Sequence, residues 1–156
     1  MRIRLLTITH KIPIWVQEGF YEYHKRFPPT FTIELVEVPA EKRAKHTDIT
    51  RIIQREGEKM LLAIHPHHDV IALDVKGKLW STEQLTEQLV HRNQQGRNLD
   101  LLIGGPDGLS PMCLQRAQQT WSLSPLTFPH ALVRIIVVEQ LYRAWSILTN
   151  HPYHRG

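Results

Sequence analysis

Strand-like apolar runs alternate with runs at helical spacing from one end of this chain to the other, and that alternation limits the fold more than any other feature. Ile3 to Thr9 reads as a strand, with Ile3, Leu5, Leu6 and Ile8 apolar. Trp15, Val16, Phe20, Tyr23 and Phe27 share a helical face, and Pro28-Pro29 stops that helix. Phe31 to Val38 is a second strand, ended by Pro39. After a polar, basic stretch from Ala40 to His46, Thr47 is placed to cap a helix that carries Ile49, Ile52, Ile53, Met60, Leu61 and Ile64. Val70 to Val75 is a short strand, and Ser81 with Gln84 forms a capping box for a helix ending near Gly96. Leu99 to Ile103 reads as a continuous apolar strand, and Ser110-Pro111 opens a further helix. Trp121 to Leu123 and Leu126 to Phe128 are short strand-like pieces. A long helix follows from Ala131 to Thr149, with Val133, Val137, Leu141, Ala144 and Leu148 on one face. Repeated strand–helix units with buried strands predict an α/β fold with a mostly parallel sheet and helices on both faces.

The 156 residues contain no repeat, low-complexity tract or linker, so residues 1–156 read as a single domain. One cysteine, Cys113, excludes an internal disulfide and suits a reducing compartment. The first ten residues lack the apolar run and small-residue cleavage site of a signal peptide. The most apolar stretch, Leu132 to Val138, is interrupted by Arg134 and falls far short of the roughly 20 residues of a membrane span. The expectation is a soluble, cytoplasmic protein with no membrane partner. A net charge of +4 favours a polyanionic partner such as RNA, and serves simple solubility equally well.

Open α/β sheets bind ligands beyond the carboxyl ends of their strands. Such ends occur at Leu73-Asp74-Val75-Lys76-Gly77, at Ile103-Gly104-Gly105-Pro106-Asp107-Gly108-Leu109-Ser110, and at Leu123-Ser124-Pro125-Leu126-Thr127-Phe128-Pro129-His130. The glycines of the second allow close backbone approach, but neither a Walker loop nor a dinucleotide fingerprint is present, so phosphate cradling is not indicated. An ordinary strand-to-helix turn would explain it equally. The third could read the edge of an adenine with free amides and carbonyls, or be a plain loop. His65, His67 and His68 lie in a proline-containing turn without other ligands at metal spacing and read as a solvated loop; His151 and His154 likewise predict no metal. No Ser–His–Asp triad or nucleophilic cysteine can be drawn, since Cys113 falls within a helix.

Taken in order, Gly104-Gly105-Pro106-x-Gly108-Leu109, Leu123-Ser124-x-x-Thr127-x-Pro129-His130, Arg134, Glu139-Gln140-x-Tyr142-Arg143-Ala144 and Asn150-His151-Pro152-Tyr153-His154-Arg155 make the chain recognisable. With Pro13-x-Trp15-Val16 and Lys42-Arg43, they run over its full length. The sequence resembles the family of ribosomal RNA large subunit methyltransferase H, within the SPOUT superfamily. That resemblance implies a homodimer with a C-terminal trefoil knot that binds S-adenosylmethionine and methylates N3 of a pseudouridine in 23S rRNA on the assembled ribosome. By position, it assigns the cofactor to Leu73, Gly104, Gly105, Leu123, Ser124, Pro125, Leu126, Thr127 and Phe128. It places Tyr153, His154 and Arg155 at the target base, beside the partner subunit.

The implied reaction is a direct displacement, for which alignment of nucleophile, methyl and sulfur matters most. The imide N3 must lose a proton; His154 suits the general base and Arg155 the stabilisation of the developing anion. Lys42, Arg43, Lys45, Arg51 and Arg55 could contact phosphates, although each could equally be part of a solvated face. A different RNA, such as tRNA, and a non-catalytic ribosome-binding factor of the same fold are the alternatives.

Overall fold

A computed structural model describes residues 1–155. Five strands, β1 (Arg2–Thr9), β2 (Thr32–Pro39), β3 (Asp69–Leu79), β4 (Leu99–Ile103) and β5 (Gln119–Ser122), form one sheet in the order β2-β1-β4-β3-β5. Every pairing is parallel. Between them run α1 (Ile14–His24), α2 (Ile49–Ala63), α3 (Thr82–Gln94), α4 (Pro111–Arg116) and α5 (His130–Leu148). Alternate residues of a strand face opposite ways, and the sheet uses both sides. Ile3 and Leu5 of β1 join Leu99, Leu101 and Ile103 of β4 under Phe20 of α1, Leu89 of α3 and Leu141 of α5. Leu6 and Ile8 join Val70, Ala72 and Leu102 under Met60 of α2 and Cys113 of α4. The expected α/β sheet with helices on both faces is therefore present, and its strands are wholly parallel.

Several helix ends follow from local chemistry. The Ser81 hydroxyl accepts from Gln84 N while the Gln84 side chain accepts from Ser81 N, completing the capping box. Ser110 accepts from Cys113 N, with Pro111 at the first helical position. Gly96, with φ +66°, turns the chain out of α3 in the left-handed conformation that glycine tolerates.

Elsewhere the structure corrects the reading. Helix α2 is capped by Asp48, whose carboxylate accepts from Thr50 N at 3.0 Å; the Thr47 hydroxyl instead accepts from Ala44 N and closes the preceding turn. Trp15 is 54% exposed, so Val16 and Phe20 carry the core face of α1. That helix ends at His24 because the next N–H groups tighten onto Tyr23 and His24; Phe27 lies beyond it, stacked on Phe31. Strand β3 continues to Leu79, but its pairing with β5 jumps between Leu73 and Lys78, both opposite Trp121. At Gly77 a Cβ would lie 2.8 Å from Thr120 backbone atoms, so the second stretch can close on β5 only without a side chain there. Leu126 to Phe128 is a loop and not a strand. Among the described residues, no helix is long and apolar enough to cross a membrane.

The largest correction lies inside β4. Its run is not continuously apolar in chemistry, because Asp100 is fully buried at its second position. Arg4 Nε and Nη2 donate to the two Asp100 oxygens at 2.9 and 2.7 Å, and Nη2 also reaches the Ala63 carbonyl. His65 N donates to the same carboxylate, and His68 Nδ1 lies 2.8 Å from it. His68 is thus buried, with His65 stacked on it at 4.0 Å, while Pro66 and His67 are exposed; the solvated-loop reading fails at His68. Burial pushes the Asp100 carboxyl up, but the hydrogen bonds from Arg4, His65 N–H and His68 outweigh it and hold it below the usual value.

Asp100→Asn should destabilise the protein by about 3 kcal/mol or more, since it leaves the largely buried Arg4 guanidinium without its counter-charge. A carboxyl whose native pKa is depressed stabilises fully above its unfolded value of about 3.9 and loses that stabilisation as pH falls through the native value. Chemical denaturation should therefore show a constant gap between the proteins at neutral pH that narrows only in that acid window.

Candidate active site

The carboxyl ends of β4, of β5 and of the first paired stretch of β3, which reaches Leu73, open into a cleft of about 300 Å³. Leu73, Gly104, Gly105, Leu123, Ser124, Leu126, Thr127 and Phe128 line it, so segments far apart in the sequence meet as the strand-end argument expects. Pro125 is exposed and does not line it. Asp74, Ile103 and His130, from the same strand ends, line it too, and Trp121 and Val133 line it without having been singled out for it. Trp121 immediately precedes the third end, and Val133 could have been found from the start of α5, which follows that loop directly.

The glycine turn is shaped by close backbone packing. A Cβ at Gly104 would lie 2.6 Å from the Gly108 carbonyl carbon and 2.9 Å from Leu109 N, neither of which can move aside without unfolding the turn. Gly108 takes φ +84° and its N–H returns to the Gly105 carbonyl at 3.0 Å. The turn is also fastened from outside. Arg43 Nε donates to Asp107 at 2.9 Å, while its Nη1 and Nη2 donate to Glu56 at 3.0 and 3.2 Å. Glu56 is 2% exposed and also accepts from Glu41 N. Arg43 is therefore engaged in an ion-pair network that ties the basic segment to the glycine turn. Lys42, Lys45, Arg51 and Arg55 remain exposed.

The opposite wall comes from the loop after β5. Ser122 Oγ donates to the Ser124 carbonyl, and Leu126 N donates to Ser124 Oγ, which turns the loop back over the cleft. Trp121 stacks on Trp80, and its Nε1 is buried with no hydrogen-bond partner among the described residues. A buried donor of this kind costs roughly 1–3 kcal/mol if left unmatched. Apolar walls and a glycine turn with no room for side chains suit a flat, mostly apolar ligand with polar edges.

The C-terminal tail lies elsewhere on the same chain. Asn150 has φ +57°, and His151 N returns to the Ser146 carbonyl, so the chain doubles back along α5. Tyr153 packs edge-on against Tyr142 at 4.8 Å and donates to Glu139 at 3.0 Å. Arg143 also donates to Glu139 and covers the Tyr153 ring at 4.8 Å. Burial first, and then the bond to Glu139, push the Tyr153 hydroxyl up to about 12, so it remains a neutral donor. His154 Nδ1 lies 3.2 Å from Arg143 Nη1. Arginine can only donate, so Nδ1 accepts and the ring proton sits on Nε2, which faces Glu83 at 3.4 Å. Arg155 is exposed. None of these tail residues lines the cleft of its own chain. Helix α5 lines the cleft at Val133 and holds the tail at Arg143, ten residues away, or roughly 15 Å at the helical rise.

The sequence model of the family described as "Predicted SPOUT methyltransferase" matches residues 1–154. Two solved structures share the fold, both of proteins described only as candidate methylase family members. The one from Haemophilus influenzae Rd KW20 aligns with a TM-score of 0.57 at 14% identity, over 99% of this chain and 70% of that one. The one from Neisseria gonorrhoeae aligns with a TM-score of 0.55 at 11% identity, over 97% of this chain and 95% of that one. At these identities the structural likeness speaks for the fold alone, whereas the family match spans nearly every residue: the chain belongs to the SPOUT methyltransferase family.

Proposed function

We propose that this protein, like ribosomal RNA large subunit methyltransferase H, methylates N3 of a pseudouridine in 23S rRNA on the assembled ribosome in the cytoplasm. It uses S-adenosylmethionine and acts as a homodimer of single-domain subunits, each with a C-terminal trefoil knot. The observation that carries the reading is the cleft at the ends of β4, β5 and the first stretch of β3. Its walls are built from residues of the Gly104–Leu109 and Leu123–His130 motifs on which the resemblance rests.

Bound S-adenosylmethionine would supply a methyl group on sulfonium, an electrophile that already carries a good leaving group. Leu73, Leu123, Leu126 and Phe128 would flank its adenine, with Gly104-Gly105 allowing the backbone to approach closely. The chain's own contribution to catalysis is then to position and deprotonate the imide N3. Tyr153, held neutral, orients the tail through Glu139 rather than taking a proton. His154 serves as base only after Nδ1 leaves Arg143, because that nitrogen holds the ring's lone pair while Nε2 carries the proton toward Glu83. Arg155 places a positive charge at the end of the tail, where an N3 anion would develop. The separation of tail and cleft along α5 supports a site completed by the tail of the second subunit.

Methyl transfer from tritiated S-adenosylmethionine should label 70S ribosomes, with the label at N3 of a pseudouridine in 23S rRNA; label in tRNA alone would reassign the substrate. Gly104→Ala should weaken cofactor binding more than tenfold in calorimetry, because its Cβ collides with fixed backbone. His154→Ala and Arg155→Ala should each lower kcat by roughly a hundredfold while leaving the cofactor Kd unchanged. A tail variant with wild-type kcat would remove that residue from the chemistry.

A further inference from the structure

A second, smaller cavity of about 20 Å³ adjoins the cleft at the carboxyl end of β1 and the amino end of α5. Thr9, His10, Lys11, His130, Ala131 and Arg134 are among its walls, and His130 lines both spaces. Arg134 is the unusual member. It is 4% exposed, on an inward position of α5. Its Nη1 and Nη2 reach Glu37 and the Thr7 hydroxyl only at 3.5 Å, the outer limit of a hydrogen bond, and its Nε has no partner among the described residues. Glu37 is half exposed, so the one carboxylate facing this guanidinium is a weak match. A buried cation so poorly paired is costly to retain unless another anion joins it.

The surroundings favour an anion independently. No side chain caps the first turn of α5, so the partial positive charge of its free amides faces the cavity at His130 and Ala131. Lys11 and His10, from the segment after β1, also line it. Burial, followed by the charges of Arg134 and Arg43, lowers the His130 pKa, a sign that the positive field extends to the cleft edge. The volume is that of about one water-sized group. One oxygen of a larger anion fits, with the rest of the anion in the cleft.

We infer that Arg134, the first turn of α5 and Lys11 form an oxyanion site that takes one oxygen of a carboxylate or phosphodiester seated in the adjoining cleft. The inference rests on the reading of that cleft as the cofactor and RNA site. Two sources supply this chemistry: the carboxylate at the methionine end of the cofactor, and a phosphodiester of the RNA. In either case Arg134 binds and orients, and no bond changes at it.

The test compares wild type, Arg134→Gln and Lys11→Ala, each confirmed folded by its thermal transition. S-adenosylhomocysteine and 5′-methylthioadenosine, which lacks the amino-acid end and with it the carboxylate, are titrated by calorimetry; 70S ribosomes, the proposed substrate, are titrated over a salt series. If the cofactor carboxylate occupies the site, Arg134→Gln weakens S-adenosylhomocysteine roughly ten- to hundredfold and leaves methylthioadenosine unchanged. If an RNA phosphate occupies it, both nucleosides bind as to wild type, and the slope of log K against log salt falls by about 0.7–0.9. A purely structural role for Arg134 would weaken both nucleosides alike. That result overturns the inference, as does an Arg134→Gln protein that matches wild type with every ligand. Lys11→Ala, on the cavity rim, should move the same ligand in the same direction if Arg134→Gln does not fold. A wild-type chain that binds neither nucleoside defeats the cofactor reading, and the RNA titration still decides the anion site.

Discussion

Strand β4 has no face open to water. Leu99 to Ile103 are all buried, with β1 on one edge, β3 on the other and helices above and below. A five-residue strand in that position obliges the rest of the chain to supply two helical layers, and the alternation of strand and helix does so. The same position makes the one charged residue of β4 expensive. Asp100 is tolerated because Arg4 on the neighbouring strand and the His65–His68 turn satisfy its oxygens near the amino end of the sheet. The opposite end is left for the ligand. The chain leaves β4 there at Gly104-Gly105, where the absence of side chains lets the turn pack tightly against Gly108, Leu109 and Ile8.

Features set by neighbours in sequence were legible without a structure. The capping box at Ser81, the Ser110-Pro111 start and the limits of β4 each depend on residues within a turn of one another. The two-layered parallel sheet followed from periodicity, and most of the cleft followed from knowing where such sheets bind ligands. What escaped depends on partners distant in sequence. Nothing near Asp100 announces Arg4, nothing near Arg43 announces Asp107, and His68 reads as a surface residue until Asp100 is set beside it. From periodicity, Arg134 was an interruption of an apolar run, and only the resemblance marked it out. Resemblance, not periodicity, brought Tyr153, His154 and Arg155 into the account, since their setting depends on the Asn150 turn and on α5.

The ion pairs around Arg43 join the two halves of the account. Glu56 of α2, the basic segment after β2 and the glycine turn after β4 converge on one guanidinium. Contact of Lys42 or Lys45 with a polyanion would therefore act on a segment already fastened to the wall of the cleft. The tail is held by a separate set, Glu139, Arg143 and Tyr153, farther along α5. Helix α5 thus lines the cleft at its beginning and positions the tail in its second half, so one rigid element spaces the proposed cofactor and base-facing groups.

The central claim is that the cleft between the Gly104–Leu109 turn and the Leu123–Phe128 loop holds S-adenosylmethionine. A crystal structure grown with S-adenosylhomocysteine tests it most directly. The account predicts density for the nucleoside in that cleft, with adenine against Leu123, Leu126 and Phe128 and the sulfur side toward His130. Crystals that bind the compound at another place, or not at all at millimolar concentration, would contradict it.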